Sequence, residues 1–228
     1  MNSATKNRNM KGNDQFVSAK DESPRMFEND VLDYFSRAHP ISVPLIFVPM
    51  VLYFFYSAFM VHGVNILNAV GIFFLGVVIW TLFEYFLHRY LFHLQIDTDW
   101  GRRLHFMIHG CHHDYPNDSM RLVIPTGASL ALAVMVYWAC YFFIVFLFGG
   151  SMGTLHAFFA SFVTGYIAYD MMHYATHYAK FKNKWFREIQ KNHLDHHYVD
   201  HDKGFGLSNV FWDRVFGTAQ ESIKKKKK

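Results

Sequence analysis

Four long apolar runs without Lys, Arg, Asp or Glu constrain this chain more than any other feature of its sequence. They lie at 43–61, 64–83, 122–150 and 155–169. Because about 20 apolar residues in a helix cross the hydrocarbon core of a bilayer, the runs predict an all-α, multi-pass membrane helical bundle with about four transmembrane helices. Composition favours the same class, since hydrophobic residues make up 52% of the chain and charged residues only 18%, below the quarter typical of soluble domains.

The placement of positive charge predicts the topology. All 22 Lys and Arg residues lie before the first run, between the second and third, or after the fourth. Since these residues collect on the cytoplasmic side of membrane proteins, both termini and the central loop are predicted to be cytoplasmic. The predicted domains are a disordered or interfacial cytoplasmic N-terminus at 1–38, a membrane domain at 39–217 and a basic C-terminal tail at 218–228.

Other function classes are excluded by charge and cysteine content. A net charge of +4, owed largely to the five terminal lysines, indicates no basic surface for nucleic acid. Two cysteines, Cys111 and Cys140, support neither a disulfide framework nor a thiolate zinc site. The chemistry must therefore lie elsewhere.

Histidine is the residue type that stands out. Twelve of the fifteen histidines fall within 88–113 or 173–201, and all of these positions are on the predicted cytoplasmic side. They form spaced boxes, which predict a histidine-rich metal-binding cap on the membrane bundle. The ten candidate ligands are His88, His93, His109, His112, His113, His173, His177, His193, His196 and His197.

The spacing within the boxes indicates metal binding. Residues three and four apart share a helix face, so the imidazoles of each His-x-x-His-His box are expected to converge on one ion. His88 and His93 are five apart and need a helix end or a local bulge to do the same. Imidazole suits iron, zinc, copper and nickel, and ten nitrogens exceed the ligand number of one ion. Two metal ions are therefore predicted, iron by preference and zinc as the alternative.

The remaining histidines divide into two groups. His39, His62 and His156 lie outside the boxes and are expected to be ordinary surface or interfacial residues. His105 and His201 lie beside the boxes, where the spacing leaves their roles open between ligand and supporting residue.

Three carboxylates stand near the ligands. Glu84, Asp170 and Asp195 each lie within four residues of a boxed histidine. A ligating imidazole usually donates its other N–H to an acceptor, so these carboxylates are expected to orient the rings.

With these boxes, the chain resembles the fatty acid hydroxylase and sterol desaturase superfamily over roughly residues 70–217. Within it, softer matches resemble the sphingolipid fatty acid 2-hydroxylases: WTLFEYFLHRYLFH, HFMIHGCHHDYPND followed by RLVIP, YDMMHYATHY and KGFGLSNVFWDRVFGT. The resemblance implies hydroxylation of a lipid acyl chain beside its carbonyl, with O₂ and two electrons, and it carries the family's ligand positions onto the same ten histidines.

The resemblance also bears on partners. A fused cytochrome b5 domain often supplies electrons in that family, but this sequence contains no His-Pro-Gly-Gly haem motif. A separate donor is therefore expected, either cytochrome b5 with its reductase or, in a bacterium, a ferredoxin-type protein. Lys225 and Lys226 resemble a dilysine retrieval signal, which implies the endoplasmic reticulum in a eukaryote; the bacterial location would be the plasma membrane.

Rival functions remain open on the sequence alone. A sterol desaturase or methyl oxidase, or a carotenoid hydroxylase, would use the same boxes on another lipid. A metal transporter, the more remote alternative, would need ligands within its spans, and the four runs contain no Asp or Glu and no His apart from His156 at the start of the fourth run.

Overall fold

The computed structural model describes residues 16–224, and all regular secondary structure in that range is helical. The α-helices are α1 (Asp30–Phe35), α2 (Ser42–Tyr56), α3 (Ile66–Phe86), α4 (Asp99–His105), α5 (Cys111–Asp114), α6 (Thr126–Cys140), α7 (Met152–Tyr178), α8 (Lys184–Tyr198), α9 (Phe211–Val215) and α10 (Glu221–Lys224). Four π-helical segments continue some of them, at Ser57–Val61, Leu87–Phe92, Phe106–Gly110 and Tyr141–Leu147. The predicted all-α class is confirmed.

Three of these helical stretches are long and apolar enough to cross a membrane. They run over Ser42–Val61, Ile66–Phe92 and Thr126–Leu147. Large apolar side chains cover their outer faces, and Leu67 and Phe146 are 80% and 72% exposed. Exposing such an apolar surface to water would be unfavourable, whereas the apolar lipid tails of a membrane are compatible with it. The chain is therefore an integral membrane protein.

The predicted fourth span belongs to α7, which differs from the other three. It is 27 residues long, and fifteen of these are buried within the protein. Close approach to α3 depends on two glycines, because a Cβ at Gly76 would lie 2.5 Å from Ser161 Cβ and one at Gly165 would lie 2.5 Å from Trp80 Cγ. Surrounded by protein, α7 tolerates polar residues that lipid would not. About four predicted spans thus become three lipid-exposed candidate spans and one buried helix of spanning length.

The N-terminal segment is ordered where the structure describes it. The Val17 N–H donates to the Asp114 carbonyl at 2.8 Å, and the Arg121 side chain donates to the Pro24 carbonyl at 2.7 Å. Residues 17–24 therefore lie against α5 and the loop that follows it, within the segment that the sequence indicated to be disordered or interfacial. The apolar residues that α1 exposes suit the interfacial alternative.

The start of the predicted C-terminal tail also packs against the protein. Thr218, Ala219 and Gln220 are buried, and the Gln220 side chain donates to the carbonyls of Asp200 and Lys203. The packed C-terminal region therefore extends past residue 217. The dilysine pair Lys225 and Lys226, like residues 1–15, lies outside the described residues.

Candidate metal centre

The first histidine pair lies where α3 changes into a π-helix. The π-helical segment covers Leu87–Phe92 and ends at His93. Because π-helical hydrogen bonds join residues five apart, His88 and His93 come to lie on one side, with ring centroids 5.2 Å apart. The sequence predicted a helix end or a local bulge for this pair, and the π-helical segment that ends at His93 provides it.

The other boxes come from three further elements. His109 lies in the π-helical segment Phe106–Gly110, which runs directly into α5 with His112 and His113. The pair at 173 and 177 lies at the C-terminal end of α7, and the last box lies on α8. The chain thereby delivers all four boxes to the same end of the bundle.

The ten predicted ligands form two groups of five, in which ligand atoms lie within 4.8 Å of one another. We call them cluster A (His88, His93, His109, His113 and His196) and cluster B (His112, His173, His177, His193 and His197). Each cluster contains one of the two histidine pairs, 88/93 or 173/177, and the first and last histidines of one His-x-x-His-His box. The middle histidine of each box lies in the other cluster, so the two boxes exchange their middle histidines.

This exchange corrects the expectation that each box converges on a single ion. On an ideal helix, residues four apart differ by about 40°, while the residue between them lies about 60° to the opposite side. His109 and His113 therefore share cluster A, whereas His112 turns towards cluster B. The box on α8 divides in the same way in the opposite direction, with His196 alone in cluster A.

The Nε2 atoms face one another at short distances. In cluster A, the separations are 3.1 Å for His88 and His109, 3.0 Å for His109 and His113, 3.2 Å for His113 and His196, and 3.1 Å for His93 and His196. In cluster B, they are 2.8 Å for His112 and His173, 2.9 Å for His177 and His193, and 3.1 Å for His193 and His197.

These distances fit a metal ion at each cluster. Nitrogens at about 2.1 Å from one ion lie about 3.0 Å apart at right angles and about 3.4 Å apart at the tetrahedral angle. The observed 2.8–3.2 Å corresponds to ligands near right angles. Five converging nitrogens also exceed the four that a tetrahedral site accepts, so each cluster has the donor set of a five- or six-coordinate site.

Burial keeps the cluster imidazoles neutral, which is the state that binds metal. Burial, with the neighbouring histidines adding to it, lowers the pKa of His93 to about 2 and holds the pKa of His109 and His193 well below the ordinary value. Proton competition at neutral pH is therefore weak.

The outward-facing ring nitrogens of two cluster A residues are held by backbone carbonyls. His88 Nδ1 donates to the Phe205 carbonyl and His196 Nδ1 donates to the Lys203 carbonyl, both at 2.8 Å. An N–H at Nδ1 leaves the lone pair on Nε2, so both rings are fixed in the tautomer that directs a lone pair into the cluster.

The unboxed histidines behave differently from one another. His39 and His62 are exposed, as expected. His156, however, is buried, with Nδ1 2.9 Å from the Ser57 hydroxyl and Nε2 3.2 Å from the Tyr137 hydroxyl. Of the predicted surface or interfacial positions, burial excludes the surface position for His156, because partners from α6 and the Ser57–Val61 segment satisfy both ring nitrogens inside the protein.

The two undecided histidines lie outside both clusters. His105 ends α4 and is half-buried. The His201 ring lies 4.8 Å from the His113 ring, beside cluster A. Neither ring belongs to the groups whose nitrogens converge.

The three predicted orienting carboxylates form no hydrogen bond to a histidine in the described part of the chain. Glu84 accepts instead from the backbone N–H groups of Leu207 and Ser208, and Asp195 accepts from Lys191 and Ser222. Sequence reasoning missed the residues that do face the rings, Lys203 and Phe205. The glycines of KGFG were the only local signal that the backbone approaches something closely there.

Comparison with known proteins agrees with this geometry. Residues 73–218 match the fatty acid hydroxylase family. The chain is 36% identical to dihydroceramide fatty acyl 2-hydroxylase FAH2 of Arabidopsis thaliana, covering 86% of this chain and 80% of that protein. It is 40% identical to the ceramide very long chain fatty acid hydroxylase scs7 of Schizosaccharomyces pombe, covering 77% of this chain and 49% of the relative.

A solved structure is also similar. The structure of full-length scs7p, in which only the hydroxylase domain is visible, superposes with a TM-score of 0.77 at 34% identity, covering 85% of this chain and 71% of that one. The family match over residues 73–218 includes all ten clustered histidines. This chain belongs to the fatty acid hydroxylase family.

Proposed function

We propose that this chain is a membrane-bound di-iron monooxygenase that hydroxylates the acyl chain of a sphingolipid at the carbon beside its carbonyl. The observation that carries the proposal is the pair of five-histidine clusters at one end of a membrane bundle. The relatives support the substrate class, since FAH2 of Arabidopsis thaliana is named a dihydroceramide fatty acyl 2-hydroxylase and scs7 of Schizosaccharomyces pombe a ceramide hydroxylase.

Iron is the metal that the donor set supports best. Structural zinc sites usually have four ligands in a tetrahedron, whereas each cluster offers five imidazoles near right angles. Hydroxylation with O₂ also needs a redox-active metal, and zinc has no redox chemistry. When bound, two irons would supply activation of O₂.

An apolar cleft between the helices suits the acyl chain. Its lining includes Phe47 of α2, Leu87 beside His88, Leu132 of α6 and Phe159 of α7. Along α7, Phe159 lies fourteen residues from His173, which is about 21 Å at 1.5 Å per residue. Because Leu87 directly precedes His88, the apolar lining lies next to cluster A, where the acyl carbonyl would be held near the metals.

The reaction balances with one O₂ and two electrons. One oxygen atom enters the C–H bond beside the carbonyl, and the other leaves as water after two electrons and two protons are consumed. The protein's own part is to hold the acyl chain in the cleft, direct ten neutral imidazoles at the metals and exclude water with the apolar walls. The electrons come from a separate donor protein, such as cytochrome b5 with its reductase or a ferredoxin-type protein.

The proposed location follows the charge pattern. The clusters lie at the end of the bundle that carries the positively charged loops, so we place them and both termini on the cytoplasmic side. There the clusters would hold the metals near the headgroup boundary and within reach of a donor on the cytoplasmic side. The membrane is the endoplasmic reticulum in a eukaryotic cell and the plasma membrane in a bacterium.

Lipid analysis in a yeast strain lacking its own ceramide fatty acid hydroxylase tests the proposal. Wild-type chain should restore 2-hydroxylated ceramides, measured by mass spectrometry. Replacing His112 and His113 by Ala together removes one ligand from each cluster and should abolish the product while membrane insertion is retained. His39→Ala, at an exposed histidine outside both clusters, is the matched control. Oxidised sterols without 2-hydroxy acyl chains would contradict the proposal.

A further inference from the structure

The loop whose carbonyls accept hydrogen bonds from cluster A is itself fixed by hydrogen bonds from its backbone N–H groups to buried carboxylates. We call residues 203–208, which lie between α8 and α9, the backing loop. Its carbonyls at Lys203 and Phe205 accept the Nδ1 protons of His196 and His88. The backbone N–H groups at 205–208 all donate to carboxylates.

Asp213 holds the first half of the backing loop. Its Oδ1 accepts from the Phe205 N–H at 2.9 Å and its Oδ2 accepts from the Gly206 N–H at 2.8 Å. The Thr218 hydroxyl at 2.8 Å and the Asn192 side-chain amide at 3.1 Å complete four donors, two for each oxygen. Asp213 is fully buried. A carboxyl group that accepts four hydrogen bonds is satisfied only as the carboxylate.

Glu84 holds the second half. One of its oxygens accepts from the Leu207 and Ser208 N–H groups, both at 2.7 Å, and the other accepts from the Ser208 hydroxyl. Glu84 is 2% exposed and lies one helical turn before His88 on α3. The helix that presents the His88 ring therefore also fixes the loop that accepts its proton.

The contacts at Asp213 and His88 meet in one peptide unit. The Gly206 N–H donates to Asp213, and the Phe205 carbonyl of the same peptide accepts from His88. Hydrogen bonds in series polarise one another, so the negative charge strengthens the carbonyl as an acceptor. The approach requires glycine at 206, because a Cβ there would lie 2.8 Å from Asp213 Oδ2 and 2.2 Å from the Asn209 carbonyl.

We propose that Asp213 is a positioning residue of cluster A, acting through the 205–206 peptide on the His88 ring, and that Glu84 fixes the same loop from the other side. This inference rests on the proposed function in assuming that cluster A holds a metal ion. A ligating histidine commonly donates directly to a carboxylate or a carbonyl. Here a carboxylate lies behind the carbonyl, and its charge reaches the metal ligand across a peptide bond.

Metal retention tests the proposal without relying on turnover. The full chain, purified in detergent and loaded with iron, is compared with Asp213→Asn and Glu84→Gln by metal analysis and by the time course of iron loss to a chelator. In Asp213→Asn, one of two irons should leave about 10- to 100-fold faster, the usual effect of losing a partner behind a ligand. Unchanged loss of both irons, or equal acceleration of both, would overturn the proposal.

Asp33→Asn is the matched control. Asp33 is a buried carboxylate that accepts two consecutive backbone N–H groups, those of Met26 and Phe27, but it has no contact with the backing loop. This variant should lose thermal stability while both irons leave at the wild-type rates. An equal effect on iron loss in Asp33→Asn and Asp213→Asn would show a general folding defect and overturn the assignment.

A second pair of variants assigns the affected ion. Asp213→Asn combined with His177→Ala of cluster B should leave almost no bound iron, whereas combination with His93→Ala of cluster A should add little to His93→Ala alone. If Asp213→Asn does not fold, Glu84→Gln in the same combinations decides the question. A wild-type chain that binds two irons but makes no 2-hydroxy product would refute the proposed function, while the iron-loss comparison would still decide this inference.

Discussion

Clusters A and B have the same ligand composition but stand on different backbones. In cluster B, four of the five histidines project from the regular helices α7 and α8. In cluster A, His88 and His109 lie in π-helical segments and His93 directly follows one. Two donor sets of similar geometry can thus be built either largely from regular helical spacing or from local irregularity supported by other parts of the chain.

The supports differ accordingly. The Gln190 side chain joins α8 to the end of α7 by donating to the Thr176 and Ala179 carbonyls at 2.8 Å and 3.0 Å. Cluster A depends instead on the backing loop, whose Phe205 carbonyl is 117 residues from His88 in sequence. Four ligands of cluster B are therefore a local product of α7 and α8, to which α5 adds His112, whereas the ligands and supports of cluster A come from distant parts of the chain.

Removing one ligand from either cluster should cause the largest loss of hydroxylation activity and of bound iron. His109→Ala in cluster A and His193→Ala in cluster B each delete an imidazole that contacts two others. We expect each variant to lose more activity than the about 10- to 100-fold typical of groups behind the ligands. Formation of 2-hydroxy ceramide and iron per chain measure the effect. Retained activity in one variant alone would show that the clusters are not equivalent in catalysis.

Acid should lower the stability of the folded metal-free protein through the histidines of both clusters. Burial lowers the pKa of His93 to about 2 and that of His193 well below its ordinary value, whereas both titrate near 6.5 when unfolded. The unfolded metal-free chain therefore binds more protons below pH 6.5, and stability is full above that pH and falls as the pH decreases. Each histidine contributes up to about 1.4 kcal/mol per pH unit.

Thermal unfolding of the metal-free chain between pH 7.5 and 5.5 checks this expectation. His93→Gln and His193→Gln should each flatten the dependence of the unfolding temperature on pH, because each removes one group that gains a proton on unfolding. Flattening in one variant and not the other would separate the clusters in their response to acid. His39→Gln, at an exposed position, should leave the slope unchanged.

How far the sequence predicts the site depends on which cluster is considered. The 173/177 and 193/197 pairs follow directly from the four-residue helical period, and the ten histidines could be selected from their boxes. The separation of His112 from His113 could not be predicted, since the period does not reveal where the second partner lies. The Asp213 contact and the burial of His156 depend on residues distant in sequence, and periodicity carries no information about such contacts.

Removing the hydrogen bonds that join α7 to α8 should have a moderate effect on iron retention, confined to cluster B. Gln190→Ala removes two half-buried hydrogen bonds, worth about 1–2 kcal/mol together. Because α7 and α8 carry four ligands of cluster B, one iron should leave faster, mirroring Asp213→Asn in cluster A. The time course of iron loss in Gln190→Ala measures this faster loss. The same measurement in the His93→Ala background, where cluster A has lost a ligand, reports on cluster B. Faster loss that disappears in the His177→Ala background confirms cluster B as its source.

The smallest effect on iron binding and stability is expected from replacing His201. This variant tests whether His201 is a metal ligand or only a neighbour of the ligands. Its ring packs against that of His113, but its nitrogens lie outside the converging group. His201→Ala should retain two irons per chain and change the free energy of unfolding by less than about 1 kcal/mol, since it removes packing at a half-buried position and no metal bond. Loss of one iron would make His201 a sixth ligand of cluster A, and the equal ligand composition of the clusters would no longer hold.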